Sequence, residues 1–204
     1  VSEMPSFKEV LTTLWQQRTF PHIAAAFVVA YLVGTGIYMW LPTFFIRSHA
    51  MDISEIGGWL ALASGVCGVA GTYLGGVLTS RYAAGKEALH MRAAALSFAI
   101  SSVLFMIAYI TSNKYLALAC IATMTFLSAL TTGMIFSAIQ GLVVERMRSV
   151  AVAVLFLLAY LIGESFGPLL AGILSDLFKP AFGQESLRYA LIVLSPGYVW
   201  VAYH

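Results

Sequence analysis

Long apolar runs separated by short polar stretches dominate the chain. Six of them fall near residues 22–46, 56–79, 93–112, 116–143, 150–177 and 188–204. A helix needs ~20 apolar residues to cross the hydrocarbon core of a bilayer. The first five runs meet that length, and the sixth is cut short. Strands of a closed membrane barrel would be ~10 residues long and would alternate in polarity. These runs are too long and too uniformly apolar for that, so helices, which satisfy their own backbone in lipid, are predicted. The fourth and fifth runs exceed ~20 residues, which predicts tilt or extension beyond the lipid. Ahead of them the pattern changes. Ser6-Phe7-Lys8-Glu9 has the spacing of a capping box, and Phe7, Val10, Leu11, Leu14 and Trp15 fall on one helical face. A short amphipathic helix follows from this. It lies in the membrane interface with Lys8 and Arg18 toward water, or serves as a linker helix docked on a neighbouring domain. The expected organisation is an interfacial helix over 1–20 and a six-helix transmembrane bundle over 21–204.

Composition agrees with an all-α, multi-pass membrane protein. The chain is 60% hydrophobic and 10% charged, against about 25% charged residues in a soluble domain. So little charge cannot cover a globular surface, and lipid must solvate much of it. A net charge of +2 gives no reason to expect a nucleic-acid partner. Cys67 and Cys120 lie inside apolar runs and read as buried thiols. The Lys and Arg residues divide unevenly between the two ends of the runs. Lys8, Arg18, Arg81, Lys86, Arg92, Arg146 and Arg148 share one side; Arg47, Lys114, Lys179 and Arg188 share the other. Excess positive charge marks the cytoplasmic side, so a cytoplasmic start in an inner or plasma membrane is expected. The sequence begins in an amphipathic segment and stops in an apolar one, as expected of a piece of a longer protein.

Small residues interrupt two runs. Gly65, Gly68, Gly71, Gly75 and Gly76 recur every three or four residues in the second, a smooth face for a neighbouring backbone. Gly163 and Gly167 stand four apart in the fifth, and Pro168 must disturb the helix there. Beside this break sits Glu164, the only charged residue deep in any run. Bilayer depth makes an ionised carboxylate costly, so such a residue is a candidate for function. Neutral, it donates a hydrogen bond; ionised, it needs a partner. Either state suits a proton carrier or an anchor for a ligand headgroup, and a protonated Glu bonded to backbone is the plainer alternative.

Three stretches carry a resemblance. Gly75-Gly76-Val77-Leu78-Thr79-Ser80-Arg81-Tyr82, with Gly85-Lys86 beyond, resembles the cytoplasmic Gly-x-x-x-Asp-Arg-x-Gly-Arg motif of the major facilitator superfamily, as repeated in the second half of those transporters. Ser80 stands where the Asp would be, which weakens this copy of the gating motif. The first run ends in Trp40-Leu41-Pro42-Thr43-Phe44-Phe45-Ile46-Arg47-Ser48-His49. The fourth and fifth are joined by Gln140 to Arg148, followed by Gly163 to Pro168 and Ser175-Asp176. The last two stretches are similar to the spinster-type lipid transporter branch. The resemblance implies one six-helix half of a twelve-helix fold, with the N-terminal six-helix half missing here. It also implies alternating access around a central cavity, and sphingoid or lysophospholipid-like amphiphiles as solutes, often with proton coupling. The coupling residues of the family lie mainly in the absent half and cannot be carried over.

The remaining candidates follow from position. Arg47 at the end of the first run could meet an anionic headgroup or reach lipid phosphate. Gln140 could line the inner cavity or bridge helices. Tyr38, Trp40, Phe44, Tyr73, Thr131, Thr132 and Phe136 could wall an amphiphile site, although aromatic stripes in membrane helices more often pack or form interfacial belts. Gly76, Arg81, Lys86, Arg146, Arg148, Gly163, Gly167 and Pro168 are candidates for gating or for fixing topology. Arg146 and Arg148 would pair with Glu145 or lipid phosphate. Asp176 and Glu185 read as solvated. No nucleophile motif, phosphate loop, paired carboxylate or metal-ligand spacing is present, so neither a catalytic residue nor a cofactor is expected. The function expected is secondary active transport of a small amphiphilic or organic solute. A non-transporting receptor on the same fold is the rival reading. A membrane-embedded lipid-modifying enzyme is a weaker one, for want of a polar cluster at a membrane face.

Overall fold

The computed structural model describes residues 6–82 and 87–204, and every regular element among them is helical. A short helix α1 (Phe7–Gln16) leads into α2 (Thr19–His49). The second run is built of α3 (Ile53–Leu62), a π-helical turn over Ala63–Gly68, and α4 (Val69–Tyr82). Then come α5 (Glu87–Ile110) and α6 (Lys114–Gly141). The fifth run repeats the pattern of the second: α7 (Arg148–Leu158), a π-helical turn over Ala159–Glu164, and α8 (Ser165–Phe182). The chain returns through α9 (Ser186–Leu194) and α10 (Gly197–Tyr203).

Successive runs cross in opposite directions, so the bundle has an α1 end and a far end. At the far end Ala50 closes α2 in the left-handed conformation, its N–H bonded to the Phe45 carbonyl. Asn113 caps α6 by accepting from the N–H groups of Tyr115 and Leu116. Gly183 ends α8 with a φ of 54°, a value that favours glycine. The apolar interior falls into two clusters. Leu41, Phe44, Phe45, Tyr109, Leu187 and Leu191 belong to the far one; Phe20, Ile139, Met147, Ala151 and Leu155 belong to the one nearer α1.

Ser6 caps α1 by accepting from the Glu9 N–H at 3.2 Å, as the capping-box spacing implies. Val10 and Leu14 are fully buried in the cluster at the α1 end, whereas Phe7 and Trp15 are 56% and 58% exposed. The face that docks is therefore narrower than the five-residue stripe in the sequence, and it docks on this bundle's own α7.

Two glycine contacts bring helices to backbone range. A methyl group on Gly71 or Gly75 of α4 would collide with the Phe126 or Leu130 carbonyl of α6. In the fifth run a methyl on Gly163 would sit 2.6 Å from the Val28 carbonyl oxygen, and one on Gly167 would collide with the Leu32 carbonyl and stand 2.9 Å from the Gly36 nitrogen. Gly65 and Gly76 meet nothing within 4 Å. The smooth face expected of five glycines in the second run thus rests on two of them. The fifth-run break is a π-helical turn ahead of Pro168, a widened turn of the kind that often marks function.

Candidate functional site

Small hydroxyl residues sit among apolar ones on α2, α5 and α6, and their placement opens a cavity. It lies between α2 and α6, backed by α5 and α10, with a volume of about 410 Å³. Tyr31, Thr35 and Tyr38 supply the α2 wall; Ser97 and Ser101 reach it from α5; Ser128, Thr131 and Thr132 reach it from α6. None of its lining residues is charged. Four of these hydroxyls turn back on their own helix. Thr35 donates to the Tyr31 carbonyl at 2.7 Å, Ser97 to Ala93 at 2.9 Å, and Thr131 and Thr132 both to Ser128, at 2.9 and 3.0 Å. Such back-bonding leaves the oxygen lone pairs free toward the cavity. A concave, mostly apolar space with a few hydroxyl acceptors is the form of a small-molecule site.

The predicted residues divide around this cavity. Tyr38, Thr131 and Thr132 line it. Trp40 is half-buried beside it and donates its indole N–H to the Pro168 carbonyl at 3.0 Å. Phe44 is fully buried in the far cluster, packed edge-on against Tyr109 at 4.9 Å, so it belongs to the core and not to an exposed wall. Phe136 packs against Phe27 and Phe156. Tyr73 is exposed on α4. Glu164 closes the second π-helical turn with an exposed side chain, outside the cavity lining. Tyr31 and Thr35 connect the two places. They line the cavity on one side, and their atoms stand 2.7 Å from where methyl groups on Gly163 and Gly167 would lie on the other.

Arg47 and Gln140 are exposed at the ends of α2 and α6. At the far end Glu185 is not simply solvated. It pairs with Arg188 at 2.7 Å and accepts from Ser48 at 3.0 Å, while Asp176 is exposed. Arg146 pairs with Glu9 of α1 at 3.6 Å instead of its neighbour Glu145, and Arg148 is exposed. Gly76 and Arg81 are exposed, and Ser80 donates to the Val77 carbonyl of its own helix at 3.1 Å. Lys86 lies outside the described residues. Cys120 is buried, Cys67 only partly so, and both are free thiols.

Sequence reasoning passed over Tyr31, Thr35, Ser97, Ser101 and Ser128. The signal was there in part, since Tyr31 and Thr35, like Ser97 and Ser101, stand four apart on one helical face. It also missed the ring cluster of Phe27, Tyr31, Phe136, Phe156 and Tyr160, whose members come from three runs.

No family model matches the chain. An MFS-type efflux pump of Mycolicibacterium smegmatis (strain ATCC 700084 / mc(2)155) is 27% identical over 172 residues, covering 83% of this chain and 39% of the pump. Among solved structures, a bacterial homolog to the human lysosomal transporter Spinster, in an inward-facing and unoccupied conformation, superimposes with a TM-score of 0.76. It is 19% identical, with 100% of this chain and 49% of that one aligned. The inward-facing and occupied conformation gives a TM-score of 0.72 at 19% identity, covering 94% and 47%. The chain thus spans half or less of the length of these relatives.

Proposed function

We propose that this chain, which has the fold of a major facilitator superfamily transporter of the spinster-like branch, is the C-terminal half of a secondary transporter for a small amphiphilic or organic solute. A transmembrane transport role follows from the shared fold and the efflux-pump relative. The finer reading rests on one observation, the uncharged, hydroxyl-edged cavity between α2 and α6. An apolar chain or ring system fits such a lining, and the hydroxyl lone pairs serve weak donors on the solute. In this reading the cavity faces the N-terminal six-helix half, and alternating access exposes it to each side of the membrane in turn.

Proton coupling is assigned to Glu164. It is the single carboxylate at mid-run, on a widened helical turn pressed against the α2 wall of the cavity. Protonation there converts a charge that must be solvated into a neutral group that tolerates a drier surrounding. The test is uptake into proteoliposomes by the full-length protein under an imposed pH gradient. Wild-type uptake should follow the gradient, and Glu164→Gln should lose that dependence. Normal gradient-driven uptake by the Gln variant would remove Glu164 from the coupling step.

A further inference from the structure

The short helix α1 carries more apolar surface than the bundle covers. Two rows of side chains run along it. Val10 and Leu14, one turn apart, are fully buried with Phe20, Met147 and Ala151 in the cluster nearer α1. Phe7, Leu11 and Trp15 form the adjacent row, at i, i+4 and i+8. Leu11 is partly buried, but Phe7 and Trp15 remain exposed. Half of the apolar stripe is therefore without a partner among the described residues.

The contacts of α1 give the open row a level and a direction. The Trp15 ring meets that of Phe20, the second residue of α2, at 5.0 Å between centroids. Phe20 stands just ahead of the first apolar run, so Trp15 sits at the boundary of the hydrocarbon. Glu9, two residues from Leu11 and hence on the opposite side of the helix, pairs with Arg146 in the Glu145–Met147 turn. That turn closes the bundle at its α1 end. The Glu9 side of α1 thus looks outward, and the open row looks back toward the membrane. Lys8 borders the row, seven residues before Trp15, and Arg18 and Arg148 are exposed at the same end. None of these three cations has a carboxylate partner among the described residues.

We propose that α1 is an anchor for an anionic lipid surface. Phe7, Leu11 and Trp15 enter the acyl boundary of the leaflet at the α1 end, and Lys8, with Arg18 and Arg148, holds lipid phosphates. A row of Phe, Leu and Trp edged by Lys and Arg has the chemistry of that boundary, and the unpaired cations favour anionic headgroups over neutral ones. The buried row of the same helix docks on α7, which runs directly into the second π-helical turn. The anchor therefore ties the fifth run to the leaflet.

The experiment places nitroxide labels at Phe7→Cys and, on the opposite face, at Gln16→Cys, in the full-length protein with its other cysteines replaced. Both positions are exposed, so a label displaces no buried side chain. The protein is held in nanodiscs of phosphatidylcholine, alone or mixed with phosphatidylglycerol. Collision rates with oxygen, which concentrates in lipid, and with a water-soluble nickel chelate report what surrounds each label. The oxygen-to-nickel ratio should be several-fold higher at position 7 than at position 16. Phosphatidylglycerol should raise the ratio at position 7 further, and Lys8→Gln should cancel much of that rise. A label at position 7 reached mainly by nickel would place the row in water. One reached by neither reagent would place it against protein, such as a segment outside this chain. Either result overturns the anchor. Equal ratios in the two lipid mixtures would overturn the recognition of anionic lipid.

Discussion

The indole N–H of Trp40 on α2 donates to the backbone carbonyl of Pro168 on α8 at 3.0 Å, fastening the first run to the fifth just beyond its widened turn. Pro168 has no N–H to donate to the carbonyl one turn before it, so the ladder is weakened there and the Trp40 bond adds a tie from outside the helix. Trp40→Phe keeps a ring and loses the donor. Hydrogen bonds between membrane helices average about 0.6 kcal/mol and reach ~1.7. A loss of that size is expected in reversible unfolding in bicelles, with Trp40→Leu costing more because packing is lost as well.

The contact between α8 and α2 should be intolerant of a single methyl group. Gly167→Ala drives a carbon into the Leu32 carbonyl, and Gly163→Ala places one 2.6 Å from the Val28 carbonyl oxygen. Overpacking of this kind costs about 1–3 kcal/mol. Gly76→Ala, with open space around it, should be neutral or slightly stabilising. Unfolding midpoints and the yield of monodisperse protein would check the contrast. Equal behaviour of the three variants would refute the contact.

Filling the cavity should change which solutes pass without unfolding the protein. Ser128 lines the cavity, is exposed, and bonds to Thr131 and Thr132 only through its backbone carbonyl. Ser128→Phe therefore places a ring in the space and breaks no recorded bond. Uptake of bulky amphiphiles should fall by about tenfold or more while the smallest solutes retain uptake, a size-dependent loss of pocket contacts. Competition assays with a graded series of chain lengths would measure this.

Docking of α1 should depend on its apolar face and hardly at all on its ion pair. Leu14 is fully buried, so Leu14→Ala should cost about 2–5 kcal/mol of local stability. The Arg146–Glu9 pair is about half exposed on both sides, and pairs of that kind contribute about 0–1 kcal/mol. Arg146→Ala should leave α1 in place. Limited proteolysis near Gln16, compared between the two variants, distinguishes them.

Much of the fold was legible because its physics is local. Run length and uniform apolarity identified membrane helices, and Ser6 with Glu9 announced the start of α1. Gly163, Gly167 and Pro168 marked the break in the fifth run, since a missing side chain and a missing donor act where they stand. The cavity was less legible because its walls come from helices far apart in sequence. Ser97 and Ser128 look like ordinary polar substitutions until α5 and α6 are set against α2. Phe44 illustrates the opposite failure. An aromatic near a run end suits a core as well as a wall, and only the position of Tyr109 decides between them. Arg146 pairs with Glu9 across the bundle's end rather than with its neighbour Glu145, which no local pattern could foretell.

The two π-helical turns carry a consequence for register. Gly71 lies at the same offset from Ala63 as Gly167 does from Ala159, and each glycine is a point of close approach to another run. A widened turn accommodates an extra residue, and every residue beyond it is rotated by about 100° relative to an uninterrupted α-helix. The second and fifth runs thus behave as paired phase shifters, each aiming its glycine at a neighbour only because of the residue inserted upstream. Removing one residue from either turn would leave composition and length almost untouched while swinging a whole helix face away from its partner.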